Sequence, residues 1–219
     1  WSGPNGFLSS DQNPSISNVS QANAGEYDLV LTDIVTGCKS MNGTGITVLI
    51  TPLPVAPYVS SNSAICEGST LMLSAGTLSG TSYSWTGPNG FTSNVQNPSI
   101  SSASLAMAGV YSLIVTDAVT GCSSVNGTAD VTVVINPLPI VNVVSNPIAC
   151  NGGSTVVLIS GSNGTAPYTG EGSFTVNAGN YNYTLTDANG CSSSTSVNIS
   201  EPSLLTVASS AGTISCNGG

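Results

Sequence analysis

Short stretches of alternating apolar and polar residues recur along the whole chain. Clear examples are Thr70–Ala75 (TLMLSA), Tyr111–Thr116 (YSLIVT), Asp130–Ile135 (DVTVVI) and Tyr181–Thr186 (YNYTLT). A period of two is typical of strands with one buried face, and Gly, Asn, Pro and Ser cluster between these stretches as they do in turns. The pattern predicts an all-β fold of many short strands, as in a β-sandwich.

One long phrase is written twice, and part of it a third time. Trp1–Cys38 aligns with Trp85–Cys122 without a gap at an offset of 84, with about two-thirds of the positions identical. Asn177–Cys191 (NAGNYNYTLTDANGC) is a shortened third copy. Repetition on this scale indicates an array of similar modules. We therefore expect tandem immunoglobulin-like β-sandwich modules in an extended array, of which this sequence is a window.

Proline-rich segments and a second repeat set the expected module boundaries. Thr51–Pro57 carries three prolines and Ile135–Pro139 carries two, and prolines favour extended, semi-rigid connections. Cys150–Gly153 (CNGG) returns as Cys216–Gly219 at an offset of 66. The expected modules are the C-terminal half of an immunoglobulin-like module at 1–52, a complete one at 53–137, a second type of sandwich at 138–203, and the start of a further module at 204–219.

The charge content is very low and excludes several functional classes. The 219 residues include one Lys or Arg, ten Asp or Glu and no His, and charged residues make up 5% of the chain, against roughly 25% in ordinary soluble domains. Nucleic-acid binding and a basic membrane-binding patch both need clustered Lys and Arg, so both are excluded. No apolar run approaches the roughly 18 residues of a membrane-spanning helix, so we expect no membrane insertion.

The same composition leaves little for catalysis or metal binding. Without His, neither a Ser-His-Asp nor a Cys-His arrangement can form. The acidic residues are scattered singly rather than paired for glycoside hydrolysis. The cysteines lack the CxxC spacing of zinc sites. We predict that the protein is not an enzyme and uses no cofactor and no metal.

Cysteines occur once in each half-module. Cys66 and Cys150 each open a module, in the phrases C-x-G and C-N-G-G, whereas Cys122 and Cys191 each close one, in the phrase G-C. This phase predicts the disulfides Cys66–Cys122 and Cys150–Cys191. Such cross-links would stabilise modules too small to bury a large core.

Two cysteines are left over by this pairing. It gives Cys38 a partner before residue 1 and Cys216 a partner after residue 219. Disulfides form in oxidising compartments, so we expect a secreted or surface-exposed protein.

Aromatic residues hold fixed places in the repeated phrase. The phrase A-G-x-Y precedes a strand and suggests a tyrosine corner, in which the Tyr hydroxyl bonds to nearby backbone. Tyr27, Tyr111 and Tyr181 take this place. Trp85, with Trp1 as its counterpart, is expected to be the core aromatic of strand C.

Each repeated strand ends in Thr-Asp before a Gly-Cys turn. Asp33, Asp117 and Asp187 are interpreted as Asx-turn caps, with a Ca²⁺ ligand as the alternative. One carboxylate per turn supplies far fewer oxygen ligands than a Ca²⁺-binding loop does.

The segment Gly87–Phe91 (GPNGF) is a turn by composition. Phe91 is a candidate surface contact for a ligand, and the alternative is that its ring folds back onto its own sheet.

The phrases Y-S-W-T-G-P-N-G-F, N-P-S-I-S, A-G-x-Y-x-L-x-V-T-D and G-C resemble the immunoglobulin/PKD-like repeats of giant surface proteins of Bacteroidota. The residues from about 138 onward, with I-x-C-N-G-G, P-Y, A-G-x-Y and T-D-A-N-G-C, resemble the SprB repeat of gliding-motility adhesins, which are exported by the type IX secretion system. The segment after Pro167-Tyr168 departs from that repeat because it lacks the usual Trp-containing hairpin. The resemblance implies a long adhesin on the outer cell surface, acting with the secretion and gliding machinery.

The sequence supports three functional hypotheses. The first is a stalk or fibre segment of a secreted adhesin, which mediates attachment or gliding through an extended array. The second is a carbohydrate-binding module that recognises surface polysaccharide or other cell-surface material. The third is self-association into an extracellular filament, since low charge removes the repulsion that protects exposed strand edges.

Overall fold

In the computed structural model, residues 1–41, 43–125, 129–210 and 212 are described, and every regular element among them is a β-strand or a single 3₁₀ turn. The predicted all-β class is therefore confirmed. Cys216 and the CNGG phrase around it lie outside the described residues.

The chain forms two compact units. The first consists of Trp1–Ser60, Leu73–Pro98 and Val110–Val131, and the second of Ser61–Met72, Ser99–Gly109 and Thr132–Gly219. This division cuts through strands of the predicted central module, so it does not test the expected boundaries, which stay predictions.

The strands of the first 136 residues are short. They are β1 (Ser2–Gly3), β2 (Phe7–Leu8), β3 (Gly25–Leu29), β4 (Thr44–Val48), β5 (Val59–Ser61), β6 (Ile65–Cys66), β7 (Leu71–Ala75), β8 (Thr81–Thr86), β9 (Thr92–Ser93), β10 (Ser99–Ile100), β11 (Gly109–Asp117), β12 (Asp130–Val133) and β13 (Ile135–Asn136). Single 3₁₀ turns lie at Pro4–Gly6, Gln21–Asn23, Pro88–Gly90 and Leu105–Met107.

Longer strands follow in the second unit. They are β14 (Ile140–Ser145), β15 (Thr155–Ser162), β16 (Gly172–Val176), β17 (Gly179–Thr186) and β18 (Ser192–Ile199).

The sheet order is that of an immunoglobulin-like sandwich. One sheet runs β10-β7-β5, which corresponds to the strand order E-B-A. Another runs β12-β11-β8-β9, in which the first three strands correspond to G-F-C and β9 pairs beside strand C. A short parallel pairing of β13 with β6 adds Ile65 and Cys66 beside Ile135 and Asn136. The N-terminal repeat forms the sheet β2-β1-β3-β4, and the C-terminal segment forms β14-β15-β16 and β17-β18.

The period-two pattern builds the core of the first unit. Along β11, Tyr111, Leu113 and Val115 are completely buried, because alternate side chains of a strand point to the same face. Trp85 on β8 is also completely buried, and its indole Nε1 donates a hydrogen bond of 3.2 Å to the carbonyl of Gln96. Trp85 thus occupies the core position that the sequence predicts for strand C.

A separate apolar cluster lies in the second unit. Its buried members are Ile148, Val157, Ile159, Leu185 and Ile199, which come from β15, β17, β18 and the segment before β15. The same unit also buries Leu71, Val133 and Ile135.

The exposed face of the β17–β18 hairpin carries a ladder of uncharged polar pairs. The directly opposed pairs are Asn180 with Asn198, Asn182 with Ser196, Thr184 with Ser194 and Thr186 with Ser192. Each pair is joined by a side-chain hydrogen bond of 2.6–2.8 Å. Four consecutive rungs of this kind reinforce the strand register.

Candidate functional site

The disulfide of the described chain joins Cys66 to Cys191, across 125 residues of sequence, with the two Cα atoms 5.5 Å apart. The predicted pairings Cys66–Cys122 and Cys150–Cys191 are therefore wrong. Cys122 and Cys150 have free thiols, as does Cys38.

Cys66 and Cys122 have different backbone surroundings. Cys66 lies beside Asn136 in the parallel pairing of β6 with β13, and the N–H of Glu67 donates to the Asn136 carbonyl at 2.8 Å. Cys122 follows the turn after β11, and Asp117 N donates to its carbonyl at 2.9 Å.

A continuous set of hydrogen bonds leads instead from Asn136 to Cys191. We call it the junction, formed by Asn136–Pro139, Asn163–Thr165 and Asp187–Cys191. The side chain of Asn163 donates to the Leu138 carbonyl at 2.8 Å, and Ala188 N donates to the Thr165 carbonyl at 2.8 Å. The Tyr168 hydroxyl donates to the carbonyl of Asn163. These bonds hold the turn that carries Cys191 against the segment that follows Asn136.

Asp187 is the central polar group of the junction and is only 5% exposed. Burial raises the pKa of its carboxyl, but Oδ2 accepts from Thr165 N at 3.0 Å and Oδ1 accepts from Cys191 N and Asn189 N, each at 2.9 Å. These donors outweigh burial, and the pKa lies below its ordinary value. The carboxylate is thus ionised and structural.

The other two repeated aspartates cap their turns in the same way. Asp117 Oδ1 accepts from Thr120 N at 2.8 Å, from the Thr120 hydroxyl at 3.0 Å and from Val119 N at 3.0 Å. Asp33 repeats this set with Thr36 and Val35. The donors lower the pKa of both carboxyls, led by the backbone N–H of Thr120 or Thr36. This is the geometry of the Asx-turn interpretation.

Cys150 lies beside the segment that follows β18. The side chain of Asn151 donates to the Pro202 carbonyl at 3.1 Å, and Gly152 N donates to Glu201 Oε2 at 2.6 Å. Cys150 is therefore placed next to the end of its segment, as Cys66 is placed next to Asn136.

The tyrosines take the place predicted from the repeated phrase. The Tyr27 hydroxyl donates to the Asn23 carbonyl at 2.8 Å, and the Tyr181 hydroxyl to the Asn177 carbonyl at 3.1 Å. Both bonds reach back four residues, as in a tyrosine corner. Tyr111 is completely buried, and a Cβ at Gly87 would collide with its ring.

Phe91, the candidate surface contact, packs on its own sheet. Its ring lies edge-on to the ring of Tyr111, with the centroids 5.4 Å apart. The side chain is half-buried. This geometry leaves the ring little free surface for a ligand.

An apolar cavity of about 390 Å³ lies in the N-terminal repeat, lined by Trp1, Phe7, Tyr27, Ile46 and Val48 among others. The counterparts of Trp1 and Tyr27 in the second copy, Trp85 and Tyr111, are completely buried. The cavity thus lies over the face of the sheet whose counterpart is covered in the second copy, and Gln12, Asn13 and Asn23 also line it.

In the described ranges, no three His, Cys, Asp or Glu side chains come together in a group that could hold a metal ion. None of the described residues belongs to a helix long and apolar enough to cross a membrane.

No family model and no curated protein matches the chain. Solved structures with similar folds include the three N-terminal domains of the outer capsid protein Hoc of bacteriophage RB49, at 17% identity and a TM-score of 0.37, over 67% of this chain and 59% of that one. Others are the N-terminal four immunoglobulin domains of Dscam1 isoform 6.44 (12%, TM-score 0.29, 78% and 53%) and domains 1–5 of Sidekick-1 (13%, 0.33, 84% and 48%). This chain spans about half to three-fifths of their lengths. At these scores the similarity carries no functional information.

The junction could not be read from the periodic pattern. Its key contacts join Asn163 to Leu138 and Asp187 to Thr165, each across more than 20 residues of sequence. The sequence feature that points to the junction is the pair Pro137 and Pro139, because prolines stiffen the connection that follows β13.

Proposed function

We propose that this chain is a load-bearing stalk segment of a large extracellular adhesin. The observation that carries the proposal is the disulfide from Cys66 to Cys191, which spans the Pro-containing connection at 137–139. Pulling on the two ends of the chain cannot extend the residues between the two cysteines while this bond is intact. A cross-link placed across a connection suits a segment that transmits force.

The polar surface supports the same role. The turns at Asp33, Asp117 and Asp187 are capped internally, and side chains of the β17–β18 ladder bond to one another in pairs. These bonds stabilise the turns and the strand register. The disulfide also requires an oxidising compartment, as expected for an extracellular protein.

The resemblance to Bacteroidota surface repeats supports a position of this stalk on the outer cell surface. There the type IX secretion system would export it, and the gliding machinery would move it. Surface polysaccharide or other cell-surface material is the ligand class for the whole adhesin, contacted by parts of the array other than the Phe91 hairpin.

Single-molecule force extension of the full chain, held at its two ends, tests the proposal. With the disulfide intact, the residues between Cys66 and Cys191 do not add to the measured contour length. Reduction should add roughly 400–450 Å of contour length. The Cys66→Ser variant should show the longer contour without reduction, and Cys122→Ser, the matched control, should behave like the unmodified chain. Equal contour lengths before and after reduction would contradict a load-bearing bond.

A further inference from the structure

We propose that the bond between Cys66 and Cys191 is one member of a regular series, in which an edge cysteine bonds to the turn cysteine of the next module. The edge cysteines are Cys66 and Cys150, and the turn cysteines are Cys38, Cys122 and Cys191. In this series, Cys150 forms a disulfide with the turn cysteine of a following module. Cys122 forms a disulfide with the edge cysteine of a preceding module. This goes beyond the stalk role and rests on the repeat geometry alone.

The two edge cysteines share one feature, the nearness of the end of the last strand of their segment, although Cys66 lies in a strand and Cys150 in a bend. Cys66 stands beside Asn136, at the end of β13 and one residue before Pro137. Cys150 precedes Asn151 and Gly152, which bond to Pro202 and Glu201 just after β18. In both cases the cysteine lies where the chain leaves one sandwich and a proline begins the next connection. Cys150 is exposed there, so its thiol is accessible to a partner.

The three turn cysteines are also placed alike. Each follows an aspartate-capped turn, and the aspartate N–H donates to the cysteine carbonyl at 2.9 Å, in Asp33–Cys38, Asp117–Cys122 and Asp187–Cys191. Among the turn cysteines, Cys191 is bonded to the edge cysteine Cys66. This bond shows that an edge cysteine and a turn cysteine form a disulfide in this fold.

The alternative pairing within a module fails on the same geometry. Cys150 and Cys191 belong to the expected module 138–203, yet Cys191 bonds to Cys66, the edge cysteine of the expected module 53–137. One observed bond therefore fixes the direction of the series, from an edge cysteine to a turn cysteine further along the chain.

The chemistry is an ordinary dithiol oxidation. Two thiols lose two protons and two electrons as the S–S bond forms. The electrons pass to an added disulfide such as oxidised glutathione, which is reduced to two thiols by thiol–disulfide exchange.

The experiment extends the full chain so that Cys150 is offered a partner. Residues 204–219 align with 138–153 at the 66-residue offset, so appending a copy of residues 154–203 after Gly219 completes the last module. The extended chain is refolded with oxidised and reduced glutathione, free thiols are alkylated, and disulfide-linked peptides are mapped by mass spectrometry without reduction.

The proposal expects two linked pairs, Cys66 with Cys191 and Cys150 with the appended copy of Cys191. In the Cys150→Ser version the appended cysteine should become fully alkylated, while Cys66–Cys191 persists. A bond between Cys216 and the appended cysteine, or an unlinked appended cysteine with Cys150 present, overturns the proposal. Either result would leave the force measurement on the original chain unaffected, so the stalk proposal and this inference can fail separately.

Discussion

The ring of Phe91 lies edge-on against the ring of Tyr111, with the centroids 5.4 Å apart and the planes at 64°. Phe7 and Tyr27 reproduce both values in the N-terminal repeat. The repeated hairpin therefore conserves an internal aromatic contact within this chain. An edge-to-face pair of this kind adds about 0.5–1.5 kcal/mol beyond the area it buries.

Replacing Phe91 by Ala should lower stability. We expect a loss of about 2 kcal/mol in the free energy of unfolding, less than for a fully buried Phe because the ring is half-buried. Urea denaturation measures the loss, and Val119→Ala, at a side chain that is 91% exposed, is the control. If Phe91 were instead a carbohydrate contact, the variant would keep its stability and lose binding on a glycan array.

Glycine at position 87 is required by Tyr111. A methyl group there would meet Cδ1 and Cε1 of the buried ring, so Gly87→Ala should cost about 1–3 kcal/mol. Gly212→Ala is the matched control, since open space surrounds that position. Equal denaturation midpoints for the two variants would refute this steric account.

Loss of the disulfide should destabilise the second unit. In the chain-entropy model, a closed loop of 125 residues contributes about 5 kcal/mol. Cys66→Ser should lower the denaturation midpoint by a corresponding amount, and reduction of the unmodified chain should have a similar effect. Cys122→Ser should change little, because that thiol is free. A large effect of Cys122→Ser under non-reducing conditions would argue for the pairing expected from the sequence.

The capped aspartates should make stability depend on acid pH. Because the pKa of the Asp117 and Asp187 carboxyls is lowered by folding, their contribution is complete above the unfolded value of about 3.9 and is lost as the pH falls through the lower folded value. Asp117→Asn should be less stable at pH 7 and show a shallower decline below pH 4. Parallel profiles for variant and parent, measured by thermal unfolding from pH 7 to pH 2, would contradict this linkage.

Most of the local architecture follows from short-range patterns. Alternation along β11 predicts that Tyr111, Leu113 and Val115 share the buried face, and the repeated A-G-x-Y phrase predicts the backbone bond of Tyr27. These features depend on residues close together in sequence, where strand and turn geometry leave few alternatives.

Cysteine pairing could not be predicted in the same way. Edge and turn cysteines alternate along the chain, so pairing within a module and pairing with the next module use the same alternation. The choice depends on which end of the sandwich each cysteine occupies. That is set by the pairing of β6 with β13 and by the Asn163–Leu138 bond, both of which join residues distant in sequence. The sequence repeat therefore gives the spacing of the cysteines but not which cysteines bond to each other.

The ladder of Asn, Ser and Thr pairs on β17–β18 has a consequence for the medium in which the protein works. Amide and hydroxyl groups carry no net charge and do not titrate in ordinary environments, so their hydrogen bonds are insensitive to the acidity of the surroundings. Ions screen charges, and these rungs have none to screen. This face should therefore keep the same hydration and the same strand register in fresh water and in brine.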